Sequence, residues 1–270
     1  MNPQKVEELL NGWLKDEPLN FMPQEEGGYQ VYEGALCKVA SADDPLFQEL
    51  KESEQPGLKG IFKPPKEWMP AAKSVLSIFF YNSAETKKSN YEPGEPSRGW
   101  RYARCEAGEI GLPRVMGRLV GYLASEGVNS QMMFGNLIGI FALGKPVSPW
   151  SERHAAYVAG MGTFSHSKGL ITEKGAAGRL MSMLIAQQWP ATPRPYEGLY
   201  DNCVHCLACL ARCPAQAITE NEKMYTPCYE FLKATAEKYR QPLYSCGKCM
   251  TKVPCESCIP NLSPAKSRQT

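Results

Sequence analysis

Between residues 203 and 214 the sequence reads C-x2-C-x2-C-x3-C-P, through Cys203, Cys206, Cys209 and Cys213-Pro214. Thiolates at this spacing constrain the fold more than any other feature of the chain. Three close neighbours can wrap three corners of one [4Fe–4S] cubane, and the fourth reaches a second cluster. A two-cluster module needs four more ligands, and Cys228, Cys246, Cys249, Cys255 and Cys258 offer one more than that. Crossing the sets in the manner of bacterial ferredoxins assigns Cys203, Cys206, Cys209 and Cys255 to one cluster. Cys213, Cys228, Cys246 and Cys249 go to the other, with Cys258 the alternative to Cys255. Cys-x2-Cys pairs also bind zinc tetrahedrally, but a zinc ribbon does not need a run of four ending in Cys-Pro.

The chain has 11 cysteines, nine of them after residue 200. With no export signal ahead of them, ligation is a better reading than disulfides. Cys37 and Cys105 stand alone and are expected to be small buried apolar residues. The first residues, MNPQKVEELLNGWLKDE, place charges inside their apolar stretch and read as an amphipathic helix, not a leader. No run approaches the roughly 20 apolar residues of a membrane span, so a cytoplasmic protein with no membrane partner is expected. Lys and Arg number 30 against 28 Asp and Glu, a net charge of +2 without a basic patch, which makes nucleic acid an unfavoured partner.

The 270 residues suffice for one medium domain and a small one. A helix is predicted near 5–15 and a buried central strand over 74–81. A long polar loop is predicted between Tyr81 and Trp100, and a core-facing helix from 113 to 126, stopped by Gly127. Ser148-Pro149 is predicted to cap a helix that Gly160 ends, with strands following at 170–172 and 179–186. Pro190, Pro193 and Pro195 mark a boundary between residues 1–192 and residues 193–270, and the last residues form a polar tail. Gly160 and Gly162, in the segment Gly160-Met161-Gly162-Thr163-Phe164-Ser165, could bring backbone N–H groups close to a ligand. His154 reads as a solvated helix residue.

The segment WSERHAAYVAGMGTFSHSKGLIT (150–172), followed by the two cysteine groups, resembles the cobalamin-dependent epoxyqueuosine reductases and, more distantly, the corrinoid reductive dehalogenases. The resemblance implies an α+β protein. In it, a flattened, nitroreductase-like α/β domain binds a corrinoid and is followed by a ferredoxin-like domain with two [4Fe–4S] clusters. It places Arg153, the 160–165 segment and Leu170, Ile171 and Thr172 against a base-off cobalamin or other cobamide. Flavin is the alternative cofactor for such a scaffold. The family's aspartate, a proton donor six residues before the glutamate matching Glu152, is replaced here by Pro146. Lys145, Tyr157 and Tyr102 are the candidates to supply the proton instead.

The implied activity is a reductase that passes electrons from two clusters to a cobamide and on to a small substrate. The alternatives are an electron-transfer or corrinoid-carrying protein without a substrate of its own, or epoxyqueuosine reduction proper. The last is the weaker reading, since the sequence shows no helical-repeat extension after the cysteines. The implied partners are a low-potential donor of ferredoxin or flavodoxin type and either a small-molecule substrate or a corrinoid protein.

Overall fold

A computed structural model describes residues 2–55, 57–133, 149–242 and 244–261. Helix α1 (Pro3–Asp16) starts where the Asn2 side chain accepts the Lys5 N–H at 2.9 Å and where Pro3, lacking an N–H, costs no hydrogen bond. Its Val6, Leu10 and Leu14 fall on one stripe and are fully buried. Strand β1 (Tyr32–Ser41) follows, then α2 (Pro45–Glu52), α3 (Pro65–Trp68) and β2 (Ser74–Asn82). Helices α4 (Ala84–Ser89) and α5 (Arg98–Glu106) lead through a π-helical turn at Ala107–Gly111 into α6 (Leu112–Ser125). Next come β3 (Ser130–Met132), α7 (Glu152–Val158), β4 (Gly162–Phe164), β5 (Leu170–Thr172) and β6 (Gly178–Ile185). Helices α8 (Ala208–Ala211) and α9 (Tyr225–Tyr239) belong to the cysteine-rich part.

The sheet runs β1-β2-β6-β3 with antiparallel neighbours, and β4 and β5 form a separate hairpin. Leu76, Ile78 and Phe80 of β2 and Met181, Met183 and Ile185 of β6 pack with the apolar stripes of α1 and α6 on one face. Val75 and Leu184 turn to the other face, against α2 and α7, where the rings of Phe47 and Phe62 stack on Trp150. Strand β2 is thus buried on both faces, which is why its sequence is a continuous apolar run instead of an alternation. Each large apolar side chain so buried contributes about 1.5–3 kcal/mol before the entropy of ordering it.

The predicted helices near 5–15 and 113–126 and the strands at 74–81, 170–172 and 179–186 are all present. Two expectations change. The polar stretch after Tyr81 is not one loop: the Ser83 hydroxyl accepts the Thr86 N–H and starts α4, and Ser97 does the same for α5. The helix at 150–160 is capped by Ser151, whose hydroxyl takes the His154 N–H, and not by the Ser148-Pro149 pair; Ser148 lies outside the described residues. Gly162–Phe164, for which the sequence predicts no element, is a strand. The polar tail at 262–270 also lies outside the described residues.

The expected domain boundary falls in a segment that still touches the sheet. Thr192 donates its N–H to the Val39 carbonyl at 2.8 Å and accepts the Val39 N–H on its hydroxyl at 3.0 Å, covering the edge of β1. Among the described residues no helix is long and apolar enough to cross a membrane.

Candidate iron–sulfur site

The four cysteines of the run curl because His205, Leu207 and Gln216 take left-handed backbone angles. Burial pushes the Cys209 thiol up to about 11, and Cys249, Cys203 and Cys206 beside it push in the same direction. Burial likewise raises Cys255 to about 12, followed by the influence of Cys203, Cys206 and Cys209. Cys228 is raised by burial, against the opposing charge of Lys223, and lies within electrostatic range of Cys249 and Cys213. Cys246 is raised by burial and then by Cys249, with Cys228 also near. Cys203, Cys206, Cys209 and Cys255 thus line one cavity, and Cys213, Cys228 and Cys246 cluster about Cys249, which also stands near Cys209 where the two groups adjoin. Cys258 is exposed, and its thiol meets the Pro254 carbonyl at 3.9 Å.

A small cavity is walled by the first group together with Ser165 and His166. Among the described residues no three His, Cys, Asp or Glu side chains are placed to hold a single metal ion. Each group also receives a backbone N–H on sulfur: His166 N–H on Cys203 at 3.4 Å and Ala217 N–H on Cys213 at 3.3 Å. Such bonds favour the thiolate over the thiol and tune a cluster that it ligates.

The N-terminal part holds both groups. Ala176 and Ala177 donate their N–H groups to the carbonyls of Cys255 and Glu256 at 2.9 and 3.2 Å. Gly175, at φ 78°, approaches so closely that a Cβ there would sit 2.3 Å from the Glu256 carbonyl oxygen. On the other side Asn90, fully buried, donates to the Cys246 carbonyl at 3.0 Å and to Thr251 Oγ1 at 3.3 Å. The Asn90 carbonyl accepts from Arg212 at 2.9 Å and from Lys248 at 3.1 Å. The Lys248 amine, nearly inaccessible, is lowered to about 8 by burial and then by Arg212.

In the segment expected to meet a corrinoid, backbone N–H groups are engaged within the chain. The N–H groups of Gly160, Met161, Phe164 and Ser165 bond to backbone carbonyls of the chain, and that of Gly162 bonds to the Tyr196 hydroxyl. Gly160 makes room for the Pro193 carbonyl and Gly162 for that of Ile171. The expectation of free N–H donors here is therefore corrected: the glycines serve chain-on-chain packing. Thr163 is buried and accepts the Asn202 N–H at 2.8 Å, and Leu170, Ile171 and Thr172 are buried in the hairpin. Ser165 and Ile171 line the cavity of the first cysteine group. Arg153 is exposed and donates to the Lys168 carbonyl at 2.8 Å.

The proton-donor candidates are not brought together. Tyr102 is a core residue on the α1 and α6 face, with the Arg98 guanidinium 5.2 Å from its ring, and burial raises its phenol. Tyr157 lies on the opposite face, its hydroxyl 3.3 Å from the Glu197 carbonyl. Lys145 and Pro146 lie outside the described residues. His154 is not solvated: its ring packs 4.9 Å from that of Phe164, and burial lowers it to about 4, so it is neutral. Cys37 and Cys105 are buried, as expected, with thiols raised by burial.

Glu152 has no evident task in the sequence, yet its environment is unusual. Part of the residue reaches the surface, but Oε2 is buried and unpartnered among the described residues. Burial raises the carboxyl to about 7, against hydrogen bonds from Ser182 and Trp150 that lower it. An unfolded carboxyl titrates near its ordinary 4.5, so between 4.5 and about 7 the unfolded chain gives up a proton that the folded chain keeps. Stability contributed by this group is expected to fall as pH rises through that window and to level off above it. Urea midpoints measured at both ends should show the slope, and Glu152→Gln should reduce it.

No family model and no curated protein matches the sequence. Solved structures do match. An epoxyqueuosine reductase crystallised with an epoxyqueuosine-modified tRNA-Tyr stem loop superposes with a TM-score of 0.54 at 20% identity, over 94% of this chain and 66% of that one. The fold is that of epoxyqueuosine reductase. The enzyme from Streptococcus thermophilus gives 0.52 at 15% identity, over 92% and 65% of the two chains. A reductive dehalogenase whose structure suggests a mechanism for B12-dependent dehalogenation gives 0.53 at 16% identity, over 92% and 36%. The chain thus spans just under two thirds of these epoxyqueuosine reductases and about a third of the dehalogenase.

Proposed function

We propose that the chain is an iron–sulfur oxidoreductase in which two [4Fe–4S] clusters carry electrons to the α/β part. Residues 1–192 would form the acceptor domain and 193–270 the cluster domain. The observation that carries this reading is the gathering of eight thiols into the two crossed groups, each with a backbone N–H on sulfur. The donor set fits the clusters: Cys209, Cys228, Cys246 and Cys255, raised by burial, are poor free thiols, and ligation to iron would deprotonate them. Cys203, Cys206, Cys209 and Cys255 would hold one cluster, and Cys213, Cys228, Cys246 and Cys249 the other. Each would supply one-electron chemistry at low potential. Asn90 and the turn at Gly175 hold both groups against the acceptor domain.

A cobamide is the acceptor that the fold suggests, and a small molecule its substrate. The 160–165 backbone does not fit that role, because its donors are satisfied within the chain. This favours a second reading, an electron-transfer or corrinoid-carrying protein without a substrate of its own. Anaerobic titration of the cluster-loaded chain with cobalamin and, separately, with flavin tests both. A base-off corrinoid spectrum with tight binding supports the reductase. If neither cofactor binds, the acceptor lies on another protein and the reductase reading fails.

A further inference from the structure

The two cysteine groups sit in different electrostatic surroundings. Lys248, between Cys246 and Cys249 in sequence, is 1% exposed and donates to the carbonyls of Asn90 and Glu92 at 3.1 and 2.6 Å. Arg212, next to Cys213, donates to the carbonyls of Tyr91, Asn90 and Thr251 at 2.7, 2.9 and 3.2 Å. Among the described residues no carboxylate stands within ion-pair distance of either cation, and the Glu92 charge is the weakest of the influences acting on Lys248. Lys223 and Arg153 act on Cys228 as well. The largest charges acting on Cys209 and Cys255 are those of other cysteines, and the one buried amine near that segment among the described residues, Lys87, is bonded to Ser257 Oγ at 2.9 Å. Beside Cys255 stands Glu256, a carboxylate that accepts the Tyr91 hydroxyl at 2.8 Å.

Burying two cations against carbonyls alone is costly unless a negative group lies close by. Four thiolates on a cubane supply one, and adding an electron makes that group more negative. Cations at short range through a low-dielectric interior therefore favour the reduced form and raise the potential. Backbone N–H groups reach sulfur in both groups, from His166 on Cys203 and from Ala217 on Cys213 and Lys248 on Cys246, so the side-chain cations are the feature that a substitution can test separately. We propose that Lys248 and Arg212 make the cluster of Cys213, Cys228, Cys246 and Cys249 the higher-potential member of the pair, the place where a single electron rests. In that step an external one-electron reductant loses one electron and the cluster core gains it, with no bond made or broken.

The inference rests on the two-cluster reading above, so iron is counted first on anaerobically purified chain. Absence of the iron of two clusters contradicts that reading and not the charge argument. With both clusters present, dithionite titration followed by EPR resolves the two midpoints. The signal that develops first should keep its g values in Cys206→Ser, which perturbs the other cluster. It should move to lower potential in Lys248→Met and stay in place in Lys248→Arg. Arg212→Gln should lower the same midpoint, a second reading should Lys248→Met fail to fold. The proposal is overturned if Cys206→Ser alters the first signal, or if neither neutral variant that folds moves it.

Discussion

Cys255→Ala is expected to remove one of the two clusters, while Cys258→Ala leaves both. The sequence allowed either residue as the fourth member of the first group. In the fold Cys255 lies within electrostatic range of Cys203, Cys206 and Cys209, and its carbonyl is held by Ala176. Cys258 is exposed, three residues further on. Loss of one ligand corner should halve the iron content and abolish one EPR signal. It should also destabilise the segment after residue 250, because ligation free energy is folding free energy for a short loop of this kind. Iron analysis and urea unfolding of the two variants, purified side by side, would check this. Equal iron loss in both would reject the assignment.

Gly247→Ala should be the most damaging single methyl addition near the second group. Gly247 has φ 68°, and a Cβ there would lie 2.0 Å from the Trp100 ring. Trp100 is fully buried, with its indole N–H bonded to the Ser245 carbonyl at 2.8 Å, so it has little room to yield. The left-handed backbone costs about 1–2 kcal/mol for a residue with a Cβ, and overpacking adds roughly 1–3 kcal/mol. A loss of about 2–5 kcal/mol in unfolding free energy is expected from these two costs together, along with loss of the second cluster's signal. Gly121→Ala on α6, where nothing lies within 4 Å of the added methyl, is the control. It should be neutral or stabilising by up to about 1 kcal/mol.

The central strand and the two long helices could be read from the sequence because burial writes its period directly into the apolar residues. Strand β1 escaped that reading: Glu33, Gly34 and Lys38 interrupt its apolar pattern, and only pairing with β2 shows that Ala35, Cys37 and Val39 share a face. The Ser83 and Ser97 caps were visible as residue types, but Pro and Gly between them masked two short helices. At the site, the spacing of the cysteines points to two groups but leaves Cys255 and Cys258 as alternatives, which burial separates. The buried cations leave no such trace, since Lys248 and Arg212 look like ordinary surface residues until Asn90 is brought over them by a contact spanning more than 120 positions. Gly160 and Gly162 misled for a related reason: close approach by backbone and close approach by a ligand require the same residue.

That the crossed thiol groups hold two [4Fe–4S] clusters is tested most directly by metal and acid-labile sulfide analysis of anaerobically purified chain, with Mössbauer spectroscopy on the same sample. About eight iron and about eight sulfide per chain, in cubane form, are expected. Stoichiometric zinc in a colourless protein without sulfide would contradict it.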